Sequence, residues 1–390
     1  MKKALNIFWK SLLVLFILAN LGIIISGRSY LYKGIYNTYL KGRSMPSATE
    51  YLIFENRKIN ATAPQPWLVS KEYNTATIPP DIETHFKEVE THAFVIIKND
   101  SLIHEQYWDG FNDTSHTNSF SMSKSYVSAL LGCALKDGII KSIDEPVCNY
   151  IPEFKNDWRS AITLKQLVSM TSGIGFDESY GSPFAFPAEG YYGTDLYGTC
   201  MKYTEKEYEP GRVYHYLSGN TALLGYCITK ATGKTLSQYL SERLWSPMGC
   251  EQNAYWSLDK KDGQEKGFCC INSNAKDFAR MGKLYMHSGN WNGKQLIDSD
   301  YVAKSIVAYD CNEIDGTKNH TYGYAWYVTV YKGLKVYYMR GILNQYVICL
   351  PEKNMIICRL GRKKRAKSLL HCPPDAGYAI EAALKMYGGK

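Results

Sequence analysis

The sequence of 390 residues lacks the residue spacings that usually bind metal ions. It contains no His-Glu-x-x-His pattern and no Cys-x-x-Cys pair, and its eight histidines are scattered singly along the chain. A zinc site needs several Cys, His or carboxylate ligands that converge, and paired spacings are their usual sign in a sequence. We therefore expect no metal, and the sequence indicates no other cofactor.

The sequence also lacks the regularly spaced cysteines of a disulfide framework. Its eleven cysteines are odd in number and scattered, with Cys269 and Cys270 adjacent. We interpret most of them as small core residues. One or two disulfides remain open in an oxidising compartment.

Two motifs of catalytic loops are missing as well. Gly233-Lys-Thr resembles the end of a phosphate-binding P-loop, but the position of the required glycine five residues earlier is occupied by Ile228. No Gly-x-Ser-x-Gly is present, so the nucleophile elbow of α/β-hydrolases is absent. The sequence therefore supports neither phosphate binding by a P-loop nor the α/β-hydrolase type of serine nucleophile.

Long runs of one charge are rare. The formal net charge of +8 is spread along the chain, apart from the basic stretch Arg-Lys-Lys-Arg-Ala-Lys at residues 362–367. Such a short stretch is more often a solvated turn than a surface for nucleic acid. We therefore expect no nucleic-acid partner.

The N-terminus, residues 1–27, predicts export. Lys2 and Lys3 precede residues 4–26, which are apolar apart from five polar positions and are long enough to cross a bilayer core of about 30 Å. The alternative is a signal peptide that is cleaved after residue 27. Because no Ala-x-Ala cleavage site is present, we favour a retained membrane anchor. With either interpretation the rest of the chain lies outside the cytoplasm, in the periplasm, at the cell surface or secreted.

The remaining chain divides at about residue 88. Residues 28–88 are polar and interrupted by five prolines, which indicates a stalk or an arm that wraps the domain. The globular domain, residues 89–390, opens with a predicted β-hairpin over residues 91–108. Predicted helices follow, starting near Ser121, Thr163 and Ser218.

The last part of the chain is rich in β-forming residues. Four runs separated by short turns predict an antiparallel meander, and a final helix is expected over residues 376–387. The order of strands, helices, strands and a helix predicts an α+β fold, with an antiparallel sheet flanked by helices. A mainly helical insertion is expected at about residues 135–265.

The pattern Ser-x-x-Lys occurs three times, beginning at Ser121, Ser257 and Ser273. Ser257 lies in a charged stretch that predicts a solvated loop, and Ser273 precedes an amphipathic helix that it would cap. Ser121 precedes a helix of small and apolar residues, and Lys124 would lie in its first turn, where the helix dipole disfavours an ammonium group. A lysine whose pKa is lowered can take a proton from a serine, so Ser121 is either a nucleophile or a plain helix cap.

Three short motifs occur in an order that resembles the three boxes of the serine β-lactamase and penicillin-binding-protein superfamily, in particular its class C branch. They are Ser121-Met-Ser-Lys124, Tyr216-Leu-Ser218 and Arg340-Gly341-Ile342. Residues 167–173, 214–221 and 275–282 further resemble the 6-aminohexanoate-dimer hydrolases and related esterases. The resemblance covers about residues 90–390. It implies the β-lactamase/transpeptidase-like fold and a serine hydrolase that forms an acyl-enzyme with a small amide or ester.

The resemblance implies a role for each matching residue. Ser121 would attack the carbonyl, Lys124 would be its base, and Tyr216 would pass the proton to the leaving group as a phenolate or a hydrogen-bond relay. The backbone N–H groups of Ser121 and Ile342 would hold the oxyanion. Substrate contacts would come from Ser218, Arg340 and Gly341.

The chain departs from the family pattern in its second and third boxes. Ser218 stands where class C enzymes have Asn, and Arg340-Gly341 replaces Lys-Thr-Gly, with the Leu343 side chain expected to narrow the cleft. We therefore expect weak or no lactam hydrolysis. A D-alanyl-D-alanine peptidase and a catalytically silent penicillin- or peptidoglycan-binding sensor remain alternatives. The sequence indicates neither the physiological substrate nor the oligomeric state.

Overall fold

The computed structural model describes residues 2–364 and 373–389, so the basic stretch at 362–367 lies partly outside the described residues. The α-helices in chain order are α1 (Lys2–Ile25), α2 (Tyr30–Asn37), α3 (Pro80–Glu88), α4 (Ser123–Lys136), α5 (Leu164–Val168), α6 (Phe186–Tyr192), α7 (Leu196–Met201), α8 (Ser218–Thr232), α9 (Leu236–Leu240), α10 (Ala275–Met286), α11 (Ser299–Ser305) and α12 (Pro374–Tyr387). The strands are β1 (Asn56–Ile59), β2 (Leu68–Val69), β3 (Thr91–Lys98), β4 (Ser101–Tyr107), β5 (Thr117–Asn118), β6 (Ala254–Ser257), β7 (Ile271–Ser273), β8 (Asn290–Trp291), β9 (Lys294–Gln295), β10 (Tyr327–Tyr331), β11 (Leu334–Gly341), β12 (Gln345–Leu350) and β13 (Met355–Gly361).

The largest sheet has seven strands in the order β10-β11-β12-β13-β3-β4-β2. Its neighbouring strands are antiparallel, except that the short β2 runs parallel to β4. A second sheet has the order β1-β6-β7-β5, and β8 pairs with β9. The end of β11, which carries the third box, therefore lies in the main sheet.

Side chains of the central strands alternate between two apolar cores on opposite faces of the main sheet. In β3, Val95 and Ile97 belong to the larger core and Phe94 and Ile96 to the smaller one, because successive side chains of a strand point to opposite faces. Helices α3 and α12 cover the smaller core, and α10 packs in the larger one. A Cβ at Gly282 of α10 would lie 2.8 Å from Ile356 Cγ2, so glycine permits this close packing.

The fold class predicted from the sequence is confirmed, since helices flank a mainly antiparallel sheet in an α+β arrangement. The predicted hairpin is β3 and β4, the predicted meander is β10 to β13, and the final helix is α12. Helix α8 ends before Gly233, whose φ of 67° lies in the left-handed region that favours glycine. Helices α5 to α9 fill most of the predicted helical insertion, and β6 lies in its last part.

Residues 28–88 lie against the domain. Strand β1 pairs with β6, with Asn56 opposite Ser257, and α3 buries Ile82 and Phe86 in the smaller core. Helix α1, in contrast, buries none of its side chains. It is long and apolar enough to cross a membrane, as a retained anchor or a signal sequence would be.

Two predictions for the other Ser-x-x-Lys serines are wrong. Ser257 is fully buried in β6 and is not in a solvated loop, because the charged residues begin only after the strand ends. Ser273 is the last residue of β7, and the cap of α10 is Asn274, whose side chain accepts a hydrogen bond from the Asp277 N–H at 2.9 Å.

Candidate active site

Ser121 lies in a single 3₁₀ turn, Phe120–Met122, that leads directly into α4. The residue before it, Phe120, has a φ of 44°, a left-handed conformation that is unfavourable for a bulky side chain. This conformation is supported by a hydrogen bond of 2.8 Å from the Phe120 N–H to the Asn118 side chain. Backbone strain of this kind persists where the surrounding structure enforces it, and it is common at active sites.

Lys124 follows one turn later and points back to Ser121. Its Nζ lies 3.0 Å from Ser121 Oγ and 2.9 Å from the Phe268 carbonyl oxygen, and only 1% of the residue is exposed. Burial lowers the pKa of Lys124 to about 8, although the negative charge of Glu178 opposes this shift. A sizeable fraction of this amine is therefore neutral near physiological pH, at hydrogen-bonding distance from the serine hydroxyl.

Tyr216 is the third group at this point. Its ring centroid lies 4.9 Å from Lys124 Nζ, and its side chain is within hydrogen-bonding reach of Ser121. Burial raises the pKa of the Tyr216 hydroxyl well above its usual range, and the contact with Ser121 only partly offsets this. The rings of Tyr322 and Tyr327 lie around it at centroid distances of 5.9 and 6.0 Å. A neutral hydroxyl that relays a proton therefore fits Tyr216 better than a phenolate does.

The third box brings its backbone close to the serine. A Cβ at Gly341 would lie 2.2 Å from the Ser119 carbonyl oxygen, so a residue without a side chain is needed where β11 passes the turn. The next residue, Ile342, lines the same cavity as Ser121. Arg340 is exposed, and its guanidinium carbon lies 5.9 Å from the Tyr327 ring centroid. Ile342 therefore lines the cavity, whereas Arg340 is not among the described lining residues.

Leu343 does not narrow the cleft as expected from the sequence. It has a φ of 61° and Asn344 a φ of 67°, so the two residues form the left-handed turn between β11 and β12. The Leu343 side chain is buried in the larger core and is not among the described residues that line the cavity. The turn directs it away from the site.

Ser218 begins α8, and a carboxylate from a loop covers it. The Ser218 N–H donates to Glu178 Oε2 at 2.7 Å, and its hydroxyl donates to Glu178 Oε1 at 2.5 Å. The Tyr180 hydroxyl donates to the same carboxylate at 2.9 Å. A carboxylate at a helix N-terminus complements the helix dipole. Glu178 therefore fixes the loop over the site, and it also lies close enough to affect the pKa of Lys124.

These groups lie at a cavity of about 930 Å³, a volume that includes its open mouth. We call its three sides the arm wall, from residues between 30 and 46, the loop wall, from residues between 180 and 192, and the floor. The floor consists of Phe120, Ser121, Ser218, Phe268, Cys269 and Ile342. None of the described lining residues carries a charge. The cavity therefore suits an uncharged, largely apolar group.

A disulfide joins Cys269, which is part of the floor, to the adjacent Cys270. It directly follows Phe268, whose carbonyl oxygen accepts the hydrogen bond from Lys124. Eight other cysteines in the described part of the chain are free, and Cys372 lies outside the described residues. Within residues 2–364 and 373–389, no group of three or more His, Cys, Asp or Glu residues is placed to hold a metal ion.

Three features of the site were not found from the sequence. Glu178 is one of two adjacent acids, with Asp177, in a glycine-rich loop, and nothing in the sequence indicates which of them meets Ser218. The Phe268 group that meets Lys124 is a backbone carbonyl, which no side-chain pattern reveals. The arm wall comes from a segment that the sequence describes only as polar. Its short run of Tyr30, Leu31 and Ile35 was the one available signal.

The chain is similar to several known proteins. It is 25% identical over 252 residues to the 6-aminohexanoate-dimer hydrolase of Paenarthrobacter ureafaciens, and this match covers 60% of the chain but only 61% of that relative. A solved structure from Bacillus anthracis, provisionally named a 6-aminohexanoate-dimer hydrolase, has a TM-score of 0.74 at 22% identity and covers 86% of this chain and 92% of that one. A class C β-lactamase has a TM-score of 0.62 at 14% identity, with coverage of 79% and 95%. Similarity to solved structures at these identities shows the fold.

The family model described as "Beta-lactamase" matches residues 81–368. This range contains the motifs at residues 121–124, 216–218 and 340–342, and it covers well over half of the chain. The chain therefore belongs to the beta-lactamase family.

Proposed function

We propose that the chain is a serine hydrolase that cleaves a small, uncharged amide or ester through an acyl-enzyme. The observation that carries the proposal is the contact of 3.0 Å between Lys124 Nζ and Ser121 Oγ, at a buried lysine whose pKa is lowered to about 8. A protein that only binds its ligand would not need a base beside a serine. A catalytically silent sensor is therefore the less favoured alternative.

In the proposed reaction, neutral Lys124 takes the proton of Ser121 while Oγ attacks the substrate carbonyl carbon. The backbone N–H groups of Ser121 and Ile342 stabilise the oxyanion of the tetrahedral intermediate. Tyr216 relays the proton to the departing alcohol or amine as the acyl-enzyme forms. Water then attacks the acyl-enzyme with the same groups acting in reverse, releasing the carboxylic acid and restoring Ser121.

The uncharged cavity supports a neutral substrate. β-Lactams and D-alanyl-D-alanine peptides both carry a carboxylate, and none of the described lining residues offers a cation to pair with it. Arg340 of the third box is a candidate for this contact, but it is exposed beside Tyr327 and is not among the described lining residues. We therefore propose ester or amide cleavage ahead of lactam hydrolysis, with a D-alanyl-D-alanine peptidase as the alternative.

We also propose that α1 is retained as a membrane anchor, which places the hydrolase on the extracytoplasmic side. The support is one unburied apolar helix of 24 residues without a clear cleavage site. Membrane fractionation and mass spectrometry of the mature N-terminus test this. A mature chain that begins near Arg28 would show that the helix is a cleaved signal.

The catalytic proposal is tested with p-nitrophenyl butyrate, nitrocefin, a D-alanyl-D-alanine peptide and a fluorophosphonate label, applied to the full chain and to Ser121→Ala. We expect ester turnover that falls by about 10³-fold or more in Ser121→Ala, together with loss of labelling. Ser273→Ala is the matched control, because this buried Ser-x-x-Lys serine has no described hydrogen-bond partner for its hydroxyl. Faster turnover of nitrocefin or the peptide than of the ester would overturn the substrate assignment. A wild-type chain that is not labelled by the fluorophosphonate and does not turn over any of the substrates would overturn the proposal that it is an enzyme.

A further inference from the structure

The arm wall connects the active site to the predicted membrane anchor. Helix α1 ends at Ile25 and α2 begins at Tyr30, so four residues separate the apolar helix from the cavity wall. Four residues span at most about 14 Å even when fully extended. A cavity bounded by α2 therefore lies close to the membrane surface whenever α1 is in the bilayer.

The arm wall is firmly packed against the loop wall. The Tyr30 hydroxyl donates to the Pro183 carbonyl oxygen at 3.1 Å, and a Cβ at Gly34 would lie 3.3 Å from the Tyr192 ring. The buried Glu50 accepts hydrogen bonds from the hydroxyls of Tyr191 and Tyr192 at 3.3 and 3.4 Å. The segment that follows the anchor is thus a built part of the cavity.

The outer side of this region is apolar and aromatic. Tyr36, Tyr39, Leu40 and Phe184 are all exposed, and Leu40 has 72% of its surface accessible. The Arg28 guanidinium lies 5.2 Å from the Phe184 ring centroid, at the junction between α1 and α2. Exposed aromatic side chains with neighbouring basic residues are typical of the membrane–water interface. This rim therefore fits a lipid surface better than open water.

We propose that the substrate is a membrane-resident amphiphile, a fatty acyl ester whose acyl chain lies between the arm wall and the loop wall while its carbonyl meets Ser121. The inference rests on the serine hydrolase and the retained anchor proposed above. Ser121 forms an ester bond to the acyl group, the alcohol leaves with the proton relayed by Tyr216, and water releases the fatty acid. Ile35, Met45 and Ala188 supply apolar contacts for the chain.

Acyl-chain selectivity tests the cavity. The full chain in phosphatidylcholine vesicles is assayed with p-nitrophenyl acetate, butyrate and octanoate. Burial of each additional methylene favours binding, so we expect kcat/KM for octanoate to exceed that for acetate by about 10-fold or more even if only part of the acyl chain is buried. Ile35→Asp should reduce this octanoate-to-acetate ratio by about fivefold or more, because it places a charge on the cavity wall. Ile314→Asp is the matched control, since Ile314 is exposed and is not among the described lining residues.

The source of the substrate is tested with 4-methylumbelliferyl oleate, placed either in the vesicles that carry the enzyme or in separate vesicles. We expect hydrolysis in the shared vesicles to be at least about 10-fold faster, because the cavity would take the ester from its own membrane. Equal rates would overturn a membrane source. Ser121-dependent butyrate turnover with a flat chain-length profile, or an unchanged ratio in Ile35→Asp, would overturn the acyl site and leave the proposed hydrolase standing. Absence of any Ser121-dependent turnover would overturn both.

Discussion

The floor of the cavity and its arm wall are held in different ways. On the floor, polar contacts fix the reactive groups, with Lys124 Nζ 3.0 Å from Ser121 Oγ and 2.9 Å from the Phe268 carbonyl oxygen. The arm wall is held mainly by apolar and aromatic packing, such as Gly34 against the Tyr192 ring. Substitutions on the floor should therefore reduce turnover of every substrate alike. Substitutions in the arm wall should reduce turnover more for substrates with a longer apolar chain.

The largest effect is expected from Lys124→Met, which removes the proposed base and keeps an unbranched side chain in its place. Turnover of p-nitrophenyl butyrate should fall by about 10³-fold, within the usual range for a lost acid/base group. Burial lowers the pKa of Lys124 to about 8, so below that pH the folded chain holds a poorly solvated ammonium. Removing it should leave the melting temperature at pH 7 unchanged or raised. Near-normal turnover would show that another group is the base.

The next effect is expected from Tyr216→Phe, which removes one hydroxyl oxygen. Turnover should fall by about 10²-fold for acetate and octanoate alike, because proton relay does not depend on the acyl chain. Tyr322→Phe is the control, since its ring packs against Tyr216 at a centroid distance of 5.9 Å and has no proposed role in proton transfer. A loss confined to octanoate would mean that Tyr216 contacts the acyl chain, as the arm wall is proposed to do. The contrast between the floor and the arm wall would then not hold.

The two parts of the cavity also differ in how far the sequence predicts them. The floor depends on short motifs. Ser121 and Lys124 are close in the sequence, and one helical turn therefore brings their side chains together in space. Local pattern alone does not distinguish among the three Ser-x-x-Lys sequences. It also does not predict the strand that ends at Ser257, because charged residues follow this strand closely. The direction of Leu343 depends on a left-handed turn that no composition rule predicts.

Residues 28–88, the segment that carries the arm wall, depend on contacts between distant parts of the chain. Glu50 meets Tyr191 and Tyr192 across about 140 positions, and β1 pairs with β6 across about 200. The sequence does not reveal these contacts, because the prolines and polar residues of segment 28–88 interrupt the hydrophobic periodicity wherever the chain changes direction. Local patterns predict the helices and strands, whereas only the folded chain shows which of them reach the site.

A smaller effect is expected from Glu178→Gln, which keeps an acceptor for the Ser218 N–H but removes the charge near Lys124. With Lys124 as the base, kcat/KM of the wild type should rise with pH through about 8, as the amine loses its proton. The carboxylate opposes the lowering of the Lys124 pKa, so its removal should move this midpoint downward by less than about one pH unit. Glu207→Gln, beside His215, is the control, and an unchanged or raised midpoint in Glu178→Gln would contradict the coupling.

The smallest effect is expected from Glu50→Gln, which tests whether packing or charge holds the arm wall. Glu50 is buried, pairs with Arg43 at 3.3 Å and accepts from the hydroxyls of Tyr191 and Tyr192. Burial raises its pKa above the ordinary carboxyl value, with Arg43 and the tyrosines opposing this. The folded chain therefore holds this proton more tightly than the unfolded chain does, and the contribution of Glu50 to stability falls as pH rises above the ordinary carboxyl pKa.

Glutamine does not ionise, so the stability of Glu50→Gln should not show this loss as pH rises. The melting temperature of the variant relative to the wild type should increase between pH 4.5 and 7, by about 1–3 °C for a chain of this size. Glu72→Gln, at an exposed position, should show no such trend. A relative melting temperature that decreases with pH would mean that the ion pair with Arg43 outweighs the cost of burial. The arm wall would then be held by charge, as the floor is held by polar contacts, and the contrast between the two sides would be lost.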